Sequence, residues 1–348
     1  MKNTLYLLTI IFLLTASCKK KEVGPQRVDG SSYTKELGQK IVIGCEGNFG
    51  WGNASLSVYN SLSNTVTNNV YQSQNGIALG DVLQSSTLFD GKLFVTVNNS
   101  NKIEVLDTAN FTSLGAISGL NSPRYFLGIS PSKAYVSDLY SNKITIVNPI
   151  SFQVTGEINT GGWTEQMLLF NGNVFVTKKA TNQILVIDKT TNIITDSITV
   201  GREPNSLVID NQNNLWVLCS GGINENLPQL LKINAFDYSL ISAFNFASIT
   251  ESPTSLTIDS SKTALFYLNN GVFKHTVSAT SISSSAFISA DNSVFYGLGI
   301  NPFNNDIYVA DAIDYVQAGK VYKYNSEGVE EESFSTGIIP QDFTFIGN

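Results

Sequence analysis

The sequence predicts an all-β fold, a seven-bladed β-propeller with its first blade closed by N- and C-terminal strands. Three observations carry this expectation. A seven-residue segment recurs at propeller spacing. A short aromatic strand precedes each copy. The two ends hold complementary parts of one further unit.

The recurring segment is Asn101-Lys-Ile-Glu-Val-Leu-Asp107, which returns as Asn142-Lys-Ile-Thr-Ile-Val-Asn148 and Asn182-Gln-Ile-Leu-Val-Ile-Asp188. The starts are 41 and then 40 residues apart, the spacing of four-stranded blades. Ahead of them lie Leu93-Phe-Val-Thr-Val97, Ala134-Tyr-Val-Ser137 and Val174-Phe-Val-Thr177. The same strand returns as Leu215-Trp-Val-Leu218, Leu265-Phe-Tyr-Leu268 and Ile307-Tyr-Val-Ala310. Alternation in these runs fits strands packed on one or both faces.

Six complete units begin near Val82, Arg124, Glu165, Asn205, Thr254 and Val294. Pro123, Pro204 and Pro253 stand just ahead of three of them, where a missing N–H costs no ladder bond. The N-terminal part supplies strands over Ile41–Cys45, Ala54–Tyr59 and Thr65–Tyr71, and lacks an innermost strand. Pro340–Ile346 is a first strand with nothing after it. Joining the two closes the ring and removes open sheet edges.

Composition agrees. Charged residues are 14% of the chain and aromatics 11%, with 27 glycines, as expected for short strands and many turns. The net charge of −7 argues against nonspecific nucleic-acid binding, which needs a basic face. Cys45 and Cys219 end strands in different repeats. They read as small buried hydrophobes rather than a disulfide, which needs Cα atoms within about 7 Å.

Residues 1–17 read as a secretory leader: Lys2, an apolar run Leu5–Leu14, then Thr15, Ala16 and Ser17. The run is too short to span a bilayer, which takes roughly 20 apolar residues. Cys18 follows directly, so this segment resembles a bacterial lipoprotein signal in which Cys18 carries the lipid. Thr15 stands where Leu is usual. Residues 18–38 are polar, begin with three lysines and read as a flexible tether. Residues 39–348 are assigned to one propeller.

Propeller ligands usually meet one face, at the loops between second and third strands and the segments joining blades. Here those loops carry Phe49, Trp51 and Asn53, then Asn98, Tyr140 and Tyr315. The blade-joining segments add Asn75, Asp81 and Gln84, then Arg124, Tyr125, Trp163, Glu165 and Gln166, then Arg202, Glu203, Asn205, Gln341 and Asp342. Aromatics, amides and a few charges converging on one rim suit a small polar ligand with flat apolar parts. For any one residue the turn-making or blade-sealing role competes with ligand contact.

Catalytic sets are sparse. The single histidine, His275, falls inside a strand of the sixth unit and has no second histidine with which to build a metal cluster or triad. Gly50-Trp-Gly52 precedes no helix, so it is no phosphate cradle. Asp138, Asp311 and Asp314 could meet a calcium ion, but their spacing matches no known loop. No catalytic residue, metal or cofactor is assigned.

The segments Glu46-Gly-Asn-Phe-Gly50, Asn98-Asn-Ser-Asn-Lys-Ile103, Pro123-Arg-Tyr-Phe126, Tyr135-Val-Ser-Asp-Leu-Tyr140 and Trp163-Thr-Glu-Gln-Met167 carry a family resemblance. They are similar to YncE-like seven-bladed propeller lipoproteins of Bacteroidota, over about residues 40–346. That group includes a surface lipoprotein that captures vitamin B12 for its transporter. The resemblance implies a corrinoid-type ligand, an outer-membrane transporter as partner, and a lipid-anchored outer-membrane address facing the cell surface. It implies no enzyme. A protein- or glycan-binding scaffold and a lactonase-like hydrolase are the alternatives.

Overall fold

The computed structural model describes residues 38–347. The leader, Cys18 and all but the end of the tether lie outside the described residues.

The described residues form seven four-stranded antiparallel sheets, each running from an inner to an outer strand. The first blade has Pro340–Ile346 innermost, then Lys40–Cys45, Ser55–Asn60 and Thr65–Thr67. Lys40 pairs with Ile346 and Gly44 with Asp342, so the two ends close the ring as expected. The other six blades begin with inner strands Leu83–Phe89, Pro123–Ser130, Thr164–Phe170, Pro204–Ile209, Thr254–Ile258 and Phe295–Ile300. Each of these starts within a residue of its sequence expectation.

One boundary differs. Thr65–Tyr71 was expected as a strand, but the strand stops at Thr67 and a single helical turn, Val70–Asn75, follows. Asn69 adopts a left-handed conformation (φ 55°), which breaks the extended run. The turn puts Tyr71 into the core, where it is 1% exposed.

The repeat has a local physical cause. Asn148 and Asp188, each the last residue of a third strand, accept amide hydrogen bonds from the turn that follows. Asn148 Oδ1 takes Ile150 N (2.8 Å) and Asp188 Oδ1 takes Thr191 N (2.7 Å). Such side chains nucleate turns. At the start of the segment, Asn101 and Asn182 occupy left-handed positions that close short 3₁₀ turns.

The core is divided among the gaps between blades. Among the described residues there are seven apolar clusters, one for each neighbouring pair. Within the strand Lys92–Val97, Leu93 and Val95 face the first blade while Phe94 faces the third. Strand alternation thus feeds two cores from one strand, which is why successive residues of these runs are apolar. Phe94 stacks on Phe126 across such a gap at 4.1 Å.

Cys45 and Cys219 are free and buried. Burial pushes their thiols up to about 11 and about 12. His275 is 2% exposed, packed edge-on to Trp216 and Phe244. Burial holds its pKa below the usual value, so it serves as neutral core.

Candidate ligand-binding site

All seven inner strands begin alike. After the first residue the register to the second strand slips by one residue, between Leu83 and Ser85, Pro204 and Ser206, and Phe295 and Gly297, for example. The other four blades carry the same irregularity at the same place. A bulge of this kind re-aims a side chain without ending the strand. The residues placed there are Gln84, Arg124, Glu165, Asn205, Ser255, Tyr296 and Gln341, all of which line one axial basin.

The basin holds about 650 Å³, within the range of small-molecule sites. Phe49, Tyr140 and Lys179 reach it from the loops, and Asn98, Tyr125, Gln166 and Phe295 also line it. A narrower channel of about 200 Å³ continues below through Leu298, Asp342 and Phe343. The two share Gln84, Tyr125, Gln166, Ser255, Tyr296 and Gln341.

The polar side chains around the basin stitch neighbouring blades. Arg124 Nε donates to both carboxylate oxygens of Glu165, at 3.1 and 3.0 Å, and Arg124 also donates to Gln84 Oε1. Gln341 Nε2 donates to the carbonyls of Leu83 and Gln84 (2.9 and 2.8 Å). Asn205 Nδ2 donates to Pro253 O (2.9 Å), and Gln166 Oε1 accepts from Leu207 N (3.2 Å). Asn98 Nδ2 bonds Ser122 Oγ and Pro123 O. These amides hold the mouth rigid and leave fewer polar atoms for a ligand than the sequence alone implies.

Of the residues expected at the site, Phe49, Asn98, Arg124, Tyr125, Tyr140, Glu165, Gln166, Asn205 and Gln341 line the basin. Trp51, Asn53, Trp163, Arg202 and Tyr315 do not. Trp51 points into solvent, 78% exposed. Asn53 Oδ1 accepts from Asn48 N (2.7 Å) and so shapes its own loop. Trp163 supports the wall: its indole N–H bonds Glu165 at 2.5 Å, and Lys179 Nζ lies 4.5 Å from its ring centroid. Arg202 pairs with Glu225 on the long loop of the fifth blade (3.1 Å). Tyr315 packs edge-on against Tyr296 at 5.5 Å.

Asp138, Asp311 and Asp314 do not converge. Their carboxylates accept backbone amides: Asp138 from Ser122 and Tyr140, Asp311 from Val294 and Ile313, Asp314 from Val316 and Gln317.

Tyr296 and Glu46 were not singled out from sequence. Tyr296 occupies the same bulge position as Arg124 and Glu165, and that register was the available signal. Its hydroxyl donates to Glu46 Oε1 at 3.3 Å. Burial pushes Glu46 up to about 7, opposed by this bond and by Arg124. Burial likewise lifts Asp342, lower in the channel, to about 6, against two bonds from Ser86.

A family model described as a domain of unknown function, DUF5074, matches residues 40–339. The chain belongs to the DUF5074 family. No curated protein matches this DUF5074 chain in sequence. Among solved structures, a Lactobacillus plantarum protein is similar with TM-score 0.70 at 11% identity, covering 89% of this chain and 100% of that one. A quinonprotein alcohol dehydrogenase-like protein of Bacteroides thetaiotaomicron gives 0.67 at 12%, covering 88% and 77%. A Bacteroides fragilis protein provisionally named a 6-phosphogluconolactonase gives 0.64 at 11%, covering 90% and 99%. At these identities the likeness is one of fold. For the DUF5074 chain, the sequence resemblance thus reduces to this family and a seven-bladed propeller with Bacteroides neighbours.

Proposed function

We propose that the protein captures a small ligand in the axial basin without chemically changing it. The single observation that supports this most is the ring of seven aligned bulges, which aims polar and aromatic side chains into one cavity of ligand size. Rigid blade-to-blade hydrogen bonds preorganise that cavity, which lowers the ordering cost of binding. A corrinoid such as vitamin B12 is the ligand to test first, on the strength of the resembling segments. It is flat with polar edges, and its edge would enter between Phe49 and Tyr140. The proposal includes the lipid anchor on Cys18, an outer-membrane address facing the cell surface and a transporter as recipient. Titration with cobalamin tests the ligand. Loss of fatty-acid labelling in Cys18→Ser tests the anchor.

A hydrolase is the second reading. The raised Glu46 carboxyl beside Arg124 could act as a base near neutral pH, and some neighbours bear lactonase names. Turnover of a lactone panel, with and without calcium, that is lost in Glu46→Gln would favour it. A blank panel would remove it.

A further inference from the structure

Among the described residues four charged side chains line the basin: Glu46, Arg124, Glu165 and Lys179. Three of them are in ion pairs. Arg124 pairs with Glu165 at 3.0 Å, and Lys179 with Glu203 at 3.7 Å while lying over the Trp163 ring. Among the described residues Glu46 is in no ion pair. Among the described residues its carboxylate has one hydrogen bond, the long one from Tyr296 to Oε1. The unmatched charge of the basin is therefore a carboxylate.

The surroundings of that carboxylate are aromatic. Tyr296 touches it, Tyr315 stands edge-on to Tyr296, and Phe49 and Phe295 line the same basin. Phe49 is 75% exposed, on the loop that begins at Glu46. Aromatic faces attract cations, and a carboxylate among rings is the counter-ion such a group needs. The chain's net charge of −7 draws the same sign of ligand.

We propose that the basin binds a ligand bearing an organic cation, an amine or quaternary ammonium, with Glu46 as counter-ion and the rings of Tyr296 and Phe49 against it. The inference rests on the small-ligand reading of the basin, not on the corrinoid as its occupant, and assigns the ligand's charge. Binding then draws a proton off Glu46. The groups facing Glu46 from neighbouring elements are Arg124, with Glu165 behind it, on the third and fourth inner strands, and Tyr296 with Tyr315 on the seventh blade. From the segment that joins the first and second blades, Asp81 bonds Gly50 N of the Glu46 loop.

The test uses three isosteric probes, 2-phenylethylamine, 2-phenylethanol and phenylacetate, followed by ligand-observed NMR and calorimetry at pH 6 and pH 8. The amine should bind at least tenfold tighter than the other two. Its affinity should rise about tenfold between those pH values, following the deprotonated fraction of a group titrating near 7. Glu46→Gln should remove both effects. Tyr296→Phe, which keeps the ring and drops the hydroxyl, should retain amine binding. Equal or tighter binding of the alcohol or acid, amine binding unchanged in Glu46→Gln, or silence of all three probes each overturns the cation assignment. Binding of the alcohol or acid that is lost in Phe49→Ala/Tyr140→Ala overturns only that assignment and supports the basin as a ligand site.

Discussion

Arg124 Nε bonds both carboxylate oxygens of Glu165, at 3.1 and 3.0 Å, from inner strands that are neighbours around the ring. The residues are 41 positions apart, one repeat length, so the pair links the same position in successive blades. Glu165 is 4% exposed and also accepts the Trp163 indole N–H. Breaking a buried pair strands a charge and costs on the order of 3–5 kcal/mol. Arg124→Leu should lower the melting temperature clearly, and Arg124→Leu/Glu165→Leu should recover part of the loss. Thermal melts of the set check this. Equal stability of Arg124→Leu and the parent would contradict it.

Ring closure makes a second prediction. Pro340–Ile346 forms the inner strand of the first blade and packs Phe343 and Phe345 against Tyr308 of the seventh. Deleting Pro340 to Asn348 removes that strand and opens the edge of Lys40–Cys45 to aggregation. The truncated protein should be insoluble or melt far below the parent. An unchanged melting temperature would show that closure contributes nothing.

The two raised carboxyls make stability depend on pH. Glu46 titrates near 7 and Asp342 near 6 in the folded protein, both above their ordinary values. The folded state therefore holds protons that the unfolded chain releases between roughly pH 4 and 7. These groups cost nothing below that window, and the protein loses stability as pH rises through it. Glu46→Gln and Asp342→Asn should each gain on the order of 1 kcal/mol over the parent at pH 8, and the gain should vanish near pH 4. Denaturant melts at both pH values measure it. Variants that track the parent at pH 8 would refute the assignment.

Gly297 sits where two inner strands nearly touch: a Cβ there would lie 2.2 Å from the carbonyl oxygen of Gln341. Gly297→Ala must push the seventh and first blades apart, at a cost of about 1–3 kcal/mol. It should also distort the basin wall at Gln341. A melt within error of the parent would mean that the blades separate freely.

The fold was legible because its causes are local and repeated. Asn148 and Asp188 make turns, and the Leu93-Phe-Val run feeds two cores, so both leave marks at fixed spacing. The Val70–Asn75 turn was missed because it occurs once and depends on a left-handed Asn69. The basin was half legible. Arg124 and Glu165 occupy equivalent repeat positions, which sequence can align. That Trp163, Asn53 and Arg202 serve neighbouring side chains rather than the cavity depends on where loops fold back, and no periodicity encodes it. Glu46 opens a quoted loop segment but was not assigned to the site, because its environment, not its residue type, sets it apart.

The central claim is that the basin is the ligand site. Calorimetric titration of the protein with cobalamin, beside Phe49→Ala/Tyr140→Ala, tests it most directly. Both rings are largely exposed at the basin mouth, 75% and 77%, so the double variant should keep its fold. The account predicts saturable one-to-one binding to the parent and at least tenfold weaker binding to the variant. Equal binding by both proteins would contradict it, and no binding at micromolar protein would remove the corrinoid as its ligand.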